Sequence, residues 1–300
     1  MPDDGAVRDQ LRFTKGHGTE NDFVLLPDPD GHLDLTPERV RRLADRRAGI
    51  GADGVIRVVR SAASPEVADQ ATEAEWFMDY RNADGSLAEM CGNGVRVFVR
   101  YLVREGLVDG SAAFRVATRN GPKDVRVDGD DIAVDLGAWR LTGGEAALAA
   151  GGDAHVRAHG LPGPMAALSL DLGNPHTVVL LPGERELAAA DLTRPPAVSP
   201  EPTEGTNVEL VVPLSPGHLV MRVHERGVGE TRSCGTGAAA AALAARAWSL
   251  AAGGQADTEE VPDVWRVDVP GGTVRVTALS GDRVELAGPA VLVADGVTSL

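Results

Sequence analysis

Short runs of alternating apolar and polar residues, separated by glycine-rich turns, fill most of this 300-residue chain. The period of two predicts half-buried strands in Leu11-Arg12-Phe13-Thr14, Phe114-Arg115-Val116-Ala117-Thr118, Val125-Arg126-Val127 and Ile132-Ala133-Val134-Asp135-Leu136. It predicts three more in Trp265-Arg266-Val267-Asp268-Val269, Thr273-Val274-Arg275-Val276 and Val284-Glu285-Leu286, with Gly-Asp and Gly-Gly turns between. Two segments change to a helical period. Val95, Phe98, Val99, Leu102 and Val103 fall on one face, and Gly106 is placed to end that helix. Ala238 to Leu250 is almost all Ala and Leu, apolar round its whole circumference, which predicts a helix buried on most sides. Thr36 to Ala44 reads as a surface helix with Thr36 as N-cap and Pro37 at its first position. Segments 61–75 and 182–204, rich in Ala, Pro and Glu, are expected to be tolerant surface insertions.

These elements come in the same order twice. In the first half, Leu11-Arg12-Phe13-Thr14 leads through His17-Gly18-Thr19-Glu20-Asn21-Asp22-Phe23 into Val24-Leu25-Leu26, and Gly51-Ala52-Asp53-Gly54 turns into Val55-Ile56. In the second, Leu168-Ser169-Leu170-Asp171-Leu172 leads through Gly173-Asn174-Pro175-His176 into Val178-Val179-Leu180-Leu181, and Gly205-Thr206-Asn207 turns into Val208-Glu209-Leu210. Each half then passes a strand and a polar loop to a Cys-Gly-x-Gly turn and one of the two long helices. The turns are Cys91-Gly92-Asn93-Gly94 and Cys234-Gly235-Thr236-Gly237, and they hold the only 2 cysteines. The repeated order predicts a duplication. The expected fold is α+β: two pseudo-symmetric domains, each a mixed sheet or barrel wrapped round a central helix.

Composition narrows the class. A hydrophobic content of 43% with 24% charged residues reads as soluble and globular. No apolar run is long enough to span a membrane, and acidic Met1-Pro2-Asp3-Asp4-Gly5 lacks the order of a signal peptide. A cytoplasmic protein with reduced thiols is expected. The net charge of −15 argues against nucleic-acid binding and against steering of an anionic substrate, whereas a zwitterion would be indifferent to it. Solubility alone also accounts for that acidity.

The matched thiols carry the chemistry. A thiol at a helix N-terminus meets the positive end of the helix dipole, where a thiolate is favoured. Two such thiols suit proton removal from one face of a carbon and proton return to the other. The orphan amides of Gly92-Asn93 and Gly235-Thr236 could together hold a carboxylate and stabilise charge arriving from a carbanion. Neither metal nor organic cofactor is then required. Each turn alone is weak evidence for this: isolated cysteines are more often buried hydrophobes. A disulfide is disfavoured in a reducing compartment. Zinc would need more soft ligands than two cysteines and scattered histidines supply.

Several longer segments resemble the diaminopimelate epimerase family in its actinobacterial style. They are Lys15-Gly16-His17-Gly18-Thr19-Glu20-Asn21-Asp22-Phe23, Asn82-Ala83-Asp84-Gly85-Ser86 through Met90-Cys91-Gly92-Asn93-Gly94, Gly173-Asn174-Pro175-His176, Asn207-Val208-Glu209, and Glu225-Arg226-Gly227-Val228-Gly229-Glu230-Thr231 into Cys234-Gly235-Thr236-Gly237. The resemblance implies a pyridoxal-independent isomerase interconverting LL- and meso-2,6-diaminopimelate for lysine and cell-wall synthesis. It implies Cys91 and Cys234 as the acid/base thiols, with His176 and Glu225 tuning their protonation. Asn21, Asn82, Asn174, Asn207, Glu225 and Arg226 would hold the substrate, and the amides of Gly92, Asn93, Gly235 and Thr236 its reacting carboxylate. The domains implied are 1–137 with 281–300, carrying Cys91, and 138–280, carrying Cys234. A homodimer is implied too.

One position departs from that pattern. Gly54 stands where many members carry Gln, so a polar contact is expected to be missing there or to come from water or backbone. Asn21, Asn82 and Asn207 could equally be turn formers, His176 a turn histidine, and Glu225-Arg226 an exposed ion pair. Two rival functions stay open at this level. A proline or hydroxyproline racemase shares the cysteine pair, but those proteins tend to carry His where Asn93 stands and lack the Asn82-Ala-Asp-Gly-Ser run. A non-catalytic thiol-redox or ligand-binding protein is the other.

Overall fold

The computed structural model describes residues 10–253 and 261–299. The N-terminal pentapeptide considered above lies outside the described residues. Contacts divide the chain into two compact units, one of 10–18, Asp22–Ile132 and 290–299, the other of Thr19–Asn21 and Ala133–Pro289.

The first unit holds β1 (Leu11–Gly18), β2 (Asn21–Pro27), α1 (Pro37–Ala44), β3 (Gly54–Arg60), β4 (Trp76–Asn82), α2 (Gly92–Arg104), β5 (Phe114–Val116) and β6 (Lys123–Asp128). The second runs through β7 (Asp131–Ala138), β8 (Arg140–Leu141), α3 (Gly144–Ala149), β9 (Ala154–Arg157), β10 (Met165–Asp171), β11 (Pro175–Leu180), α4 (Glu184–Ala189) and β12 (Ala197–Ser199). It continues with β13 (Asn207–Ser215), β14 (His218–Glu225), β15 (Gly229–Thr231), α5 (Gly235–Gly253), β16 (Val264–Val269), β17 (Gly272–Leu279) and β18 (Arg283–Pro289). The last strand, β19 (Val291–Thr298), belongs to the first unit.

The duplicated order read from the sequence is the order of the fold. In the first unit β2 pairs parallel with β3 across a connection carrying α1, and β3 pairs antiparallel with β4. In the second, β11 pairs parallel with β13 across α4, and β13 antiparallel with β14. A parallel pair needs such a crossover because its ends lie at opposite edges. The first sheet runs β19-β1-β2-β3-β4 and the second β12-β9-β10-β11-β13-β14-β16-β17-β18-β7.

Each long helix is the centre of its unit. α2 packs on β1, β3, β4 and β19, and Val95, Phe98, Val99 and Leu102 are fully buried, each worth roughly 1.5–3 kcal/mol. Gly106 ends this helix at φ +67°, where Gly106 N reaches Val103 O and Leu107 N reaches Leu102 O. α5 packs on seven strands, β10, β11, β13, β14, β16, β17 and β18. Its residues from Ala238 to Ala245 are all buried. Their small side chains let strands approach from every side, as the uniformly apolar pattern predicted.

Thr36 caps α1 as expected, its hydroxyl accepting from Arg39 N at 3.3 Å. The two supposed surface insertions are corrected. In 61–75, Ser61, Ser64, Val67 and Ala74 are buried, and Val67 and Ala74 pack with Phe77 and Ala117. In 182–204, Leu187 and Leu192 enter the second unit's core beside Val208 and Leu210. Single apolar residues spaced among Pro and Glu are too sparse to show a period, yet each fills a core position.

Candidate active site

Both cysteines sit where the sheet register brings strand ends to a helix start. In the first unit Gly54 opens β3 opposite Asn82, the last residue of β4. In the second, Val208 lies opposite His224, with Asn207 opening β13 and Glu225 ending β14. The Cys-Gly-x-Gly turn follows β4 in one unit and the β14–β15 pair in the other.

Cys91 is the N-cap of α2, with extended φ −144° and ψ 117°, and is half-buried. Its sulfur accepts from Gly94 N at 3.4 Å. The amides of Gly92 and Asn93 form the buried first turn. Beneath them lies Arg96, fully buried, its Nη2 donating to Asn93 Oδ1 at 2.6 Å. Burial lowers this guanidinium to about 10, while the negative charges of Cys91 and Asp131 act in the opposite direction. Gly18 leaves room for it: a Cβ there would stand 3.0 Å from Arg96 Nη2 and 3.1 Å from Asn93 O.

Asn82 is bound within its own turn, accepting from Tyr80 Oη at 3.0 Å and donating to Ser86 Oγ at 3.0 Å. Tyr80 also accounts for Gly54. A Cβ at Gly54 would meet the Tyr80 ring at 2.4 Å and its hydroxyl oxygen at 3.1 Å. Two polar groups thus stand beside Gly54: the phenol from the neighbouring strand, and a backbone carbonyl, Arg81 O, 2.7 Å from that Cβ. Asn21 opens β2 after a turn in which Thr19 and Glu20 both have positive φ, +49° and +63°. By its contacts this tip belongs to the second unit, where Thr19 Oγ1 lies 2.6 Å from Ser233 Oγ, next to Cys234.

The second turn is enclosed. Cys234 is 6% exposed, and its sulfur accepts from Gly237 N at 3.3 Å and lies 3.6 Å from Thr236 Oγ1. Burial pushes the Cys234 thiol well above its ordinary range, and the carboxylates of Glu225 and Glu209 push it further. Glu225 is raised too, mainly by burial; Thr231 Oγ1 donates to its carboxylate. Asn174 Nδ2 donates to Thr236 Oγ1 at 3.3 Å, and Asn174 Oδ1 lies 3.1 Å from His176 Nε2. Asn207 bridges Pro175 O and Arg226 N at 3.1 and 2.9 Å. Arg226 is exposed and donates to Glu204 O at 2.9 Å. Of the residues singled out in this half, Asn174, His176, Thr236, Cys234 and Glu225 form one connected cluster, and Asn207 and Arg226 a second contact beside it.

Two buried charges were missed as functional candidates. Glu209, 0% exposed, meets His176 Nδ1 at 2.7 Å. The signal was alternation along β13: Val208, Leu210 and Val212 face one core, so Asn207 and Glu209 face the other side, beneath α5. Arg96 gave a weaker signal, a charge immediately after Val95 at the margin of an apolar helical stripe. Among the described residues no group of three or more His, Cys, Asp and Glu could hold a metal ion. Among them also, no helix is long and apolar enough to cross a membrane.

The fold matches two solved structures over nearly their whole length. One is a phenazine biosynthesis protein of the PhzF family from Bacillus anthracis, at TM-score 0.66 and 15% identity, covering 97% of this chain and 99% of that one. The other is a hydroxyproline epimerase from Agrobacterium vitis, at TM-score 0.61 and 12% identity, covering 96% and 92%. The class of protein so defined is that of the two-unit α+β fold these structures share. Sequence goes further. The family model described as Diaminopimelate epimerase matches residues 13–142 and 168–293. A diaminopimelate epimerase of Streptomyces coelicolor is 50% identical over 294 residues, 96% of this chain and 95% of that protein. The chain belongs to the diaminopimelate epimerase family, a family of isomerases.

Proposed function

We propose that this protein interconverts LL- and meso-2,6-diaminopimelate by two-thiol proton transfer at the α-carbon. The observation that carries the reading is the pair of Cys-Gly-x-Gly turns, each opening the central helix of its unit, in a chain matched to the family along both units. One thiolate takes the α-proton and becomes a thiol. The C–H electron pair stays on carbon and spreads into the carboxylate, held by first-turn amides. The second thiol gives its proton to the opposite face and becomes a thiolate, so turnover leaves the two sulfurs with exchanged roles. In this scheme the charge goes into the carboxylate, and neither pyridoxal nor a metal takes part in a step.

The electrostatics support a division of labour. Cys234, buried beside two carboxylates, rests as the thiol and serves as the acid. Cys91, beside the Arg96 cation, begins as the base. Glu225, which lies against the Cys234 thiol, accepts its proton when that sulfur must act as base. Asn21, Asn82, Asn174, Asn207 and Arg226 bind the substrate's amino and carboxylate groups, including those of the distal centre. His176 acts in the protonation of Cys234. The domain assignment 1–137 with 281–300, and 138–280, belongs to this reading, as do a homodimer and a cytoplasmic location.

Solvent deuterium uptake at the α-carbon tests it. In heavy water the protein is expected to label diaminopimelate and not proline. Labelling of proline alone would transfer it to the racemases of the same fold, and no labelling of either would leave a non-catalytic thiol protein.

A further inference from the structure

Asn82 ends β4 and opens a tight turn that is fixed from several sides. Asn82 N donates to Ser86 O at 3.0 Å, and Gly85 N to Asn82 O at 2.9 Å. Gly85 takes φ +88°, and a Cβ on it would stand 2.6 Å from Pro37 O, at the start of α1. Arg41, on the same helix, donates from Nη1 to Asp84 O at 3.1 Å. The backbone of the turn is thus set before any ligand arrives.

The side-chain hydrogen bonds on this turn run in one direction only. The Ser86 hydroxyl and amide hold Asp84 below its ordinary range, so it is a carboxylate and accepts. Ser86 Oγ lies 2.6 Å from Asp84 Oδ1 and gives its hydrogen there. The Asn82 atom 3.0 Å from that hydroxyl must therefore be the donor, Nδ2. Asn82 Oδ1 is left facing Tyr80 Oη at 3.0 Å, and the phenol donates to it.

Tyr80 reaches that oxygen because of position 54. Gly54 pairs with Asn82 and Ile56 with Tyr80, so these residues share one face of the β3–β4 pair. With no Cβ on Gly54, the Tyr80 ring lies across it. Tyr80 is buried and stands edge-on to Phe23, with ring centres 5.6 Å apart. The phenol is as firmly seated as the turn it meets.

We propose that Tyr80 and Ser86 are positioning residues for substrate: held between them, the Asn82 amide presents Oδ1 to the ammonium and Nδ2 to the carboxylate of one amino-acid head of diaminopimelate. The inference rests on the reading of Asn82 as a substrate ligand. Beyond its bonds to Tyr80 and Ser86, the amide has one Oδ1 lone pair and one Nδ2 hydrogen to offer. An ammonium only donates and a carboxylate only accepts, so a flipped amide would meet each with the wrong atom. The two holders do different things. Without the Ser86 hydroxyl the amide can turn over, because a phenol can accept as well as donate. Without the Tyr80 hydroxyl it keeps its polarity but swings about the remaining bond to Ser86.

Both losses are expected to fall on KM. The reacting carboxylate belongs to the first-turn amides, so Asn82 grips groups whose charge is the same in substrate and transition state. Such binding is uniform and leaves kcat alone. Tyr80→Phe and Ser86→Ala should each raise KM for diaminopimelate about fivefold, with kcat within about twofold of wild type. In an Asn82→Ala background, where KM is already raised, neither should change it by more than about twofold. Nitrogen-15 relaxation of the Asn82 side-chain amide, assigned with Asn82→Ala, should show it as rigid as the backbone in the wild-type protein and more mobile in both variants. A wild-type KM in either variant overturns the proposal. So does a Tyr80→Phe effect that persists in full without Asn82, since the phenol would then touch substrate itself. Should Tyr80→Phe fail to fold, Ser86→Ala, at the exposed end of the chain, carries the same test. An Asn82→Ala variant with wild-type KM would remove substrate from Asn82, and the proposal with it. A wild-type protein that exchanges no α-proton of diaminopimelate would defeat the functional reading. An Asn82 amide as rigid in both variants as in wild type would then refute the positioning separately.

Discussion

The two cysteine turns are written with nearly the same letters and are surrounded by opposite charges. Cys91 is half-buried, N-caps α2, and has the fully buried Arg96 cation beneath it. Cys234 is buried at the start of α5 among the carboxyl groups of Glu225 and Glu209. A repeated turn thus supplies two thiols of the same geometry, and the residues under each helix make them chemically unlike. In a low-dielectric interior one buried charge outweighs the small difference between two helix dipoles. The lesson is that duplication repeated the backbone of the site, while its protonation was set by side chains outside the repeated motif.

Removing either thiol should have the largest effect. Cys91→Ala and Cys234→Ala are each expected to lower deuterium incorporation by about 10²–10⁴-fold or more, with thermal unfolding close to wild type. Normal turnover by either would end the two-thiol comparison. Next comes the cation. Arg96→Met should cost about 10²-fold in kcat/KM and slow iodoacetamide alkylation of Cys91 at neutral pH. In a Cys91→Ala background, Cys234 should react only at alkaline pH, because burial and the neighbouring carboxylates hold its thiol well above the ordinary range. Equal alkylation of both sulfurs at pH 7 would contradict the asymmetry.

The glycines sharpen the contrast further. A Cβ on Gly237 meets Glu209 Oε1 at 2.8 Å and the Cys234 Cβ and Sγ at 3.2 Å, whereas on Gly94 the nearest atom is Cys91 Cβ at 3.4 Å. Gly237→Ala is expected to cost about 1–3 kcal/mol and Gly94→Ala under about 0.5 kcal/mol, read from denaturant midpoints. A modest effect is expected at Thr231→Val, which removes the donor to Glu225 and about 1 kcal/mol. Its activity should fall at the alkaline side least, because Glu225 without that donor needs a higher pH to ionise.

Much of this architecture could be read from residue order. Alternation located seven of the strands, the 3.6-residue period located α2, and Ala238 to Leu250 read correctly as an enclosed helix because alanine offers no polar face. The doubled order of strand, glycine-led turn, strand and cysteine turn was visible because each step carries a local mark: a glycine or a change of period. What stayed hidden were groups whose meaning depends on distant neighbours. Ser61, Val67 and Leu192 looked like loop residues, since nothing local distinguishes an isolated buried side chain from an exposed one. Tyr80 occupies the space beside Gly54 only because β3 and β4 pair with Gly54 opposite Asn82.

Residue order thus settled where many of the strands, the two central helices, α1 and the two thiols fall, since backbone preferences and periodicity act over a few neighbours. Sheet pairing and burial settled the rest: that Arg96 lies under one sulfur, that Glu209 and His176 lie under the other, and that the sulfurs therefore differ. The contacts under the second sulfur join residues tens of positions apart, and the strength of both sets comes from the exclusion of water, which exists only once the chain has closed over them.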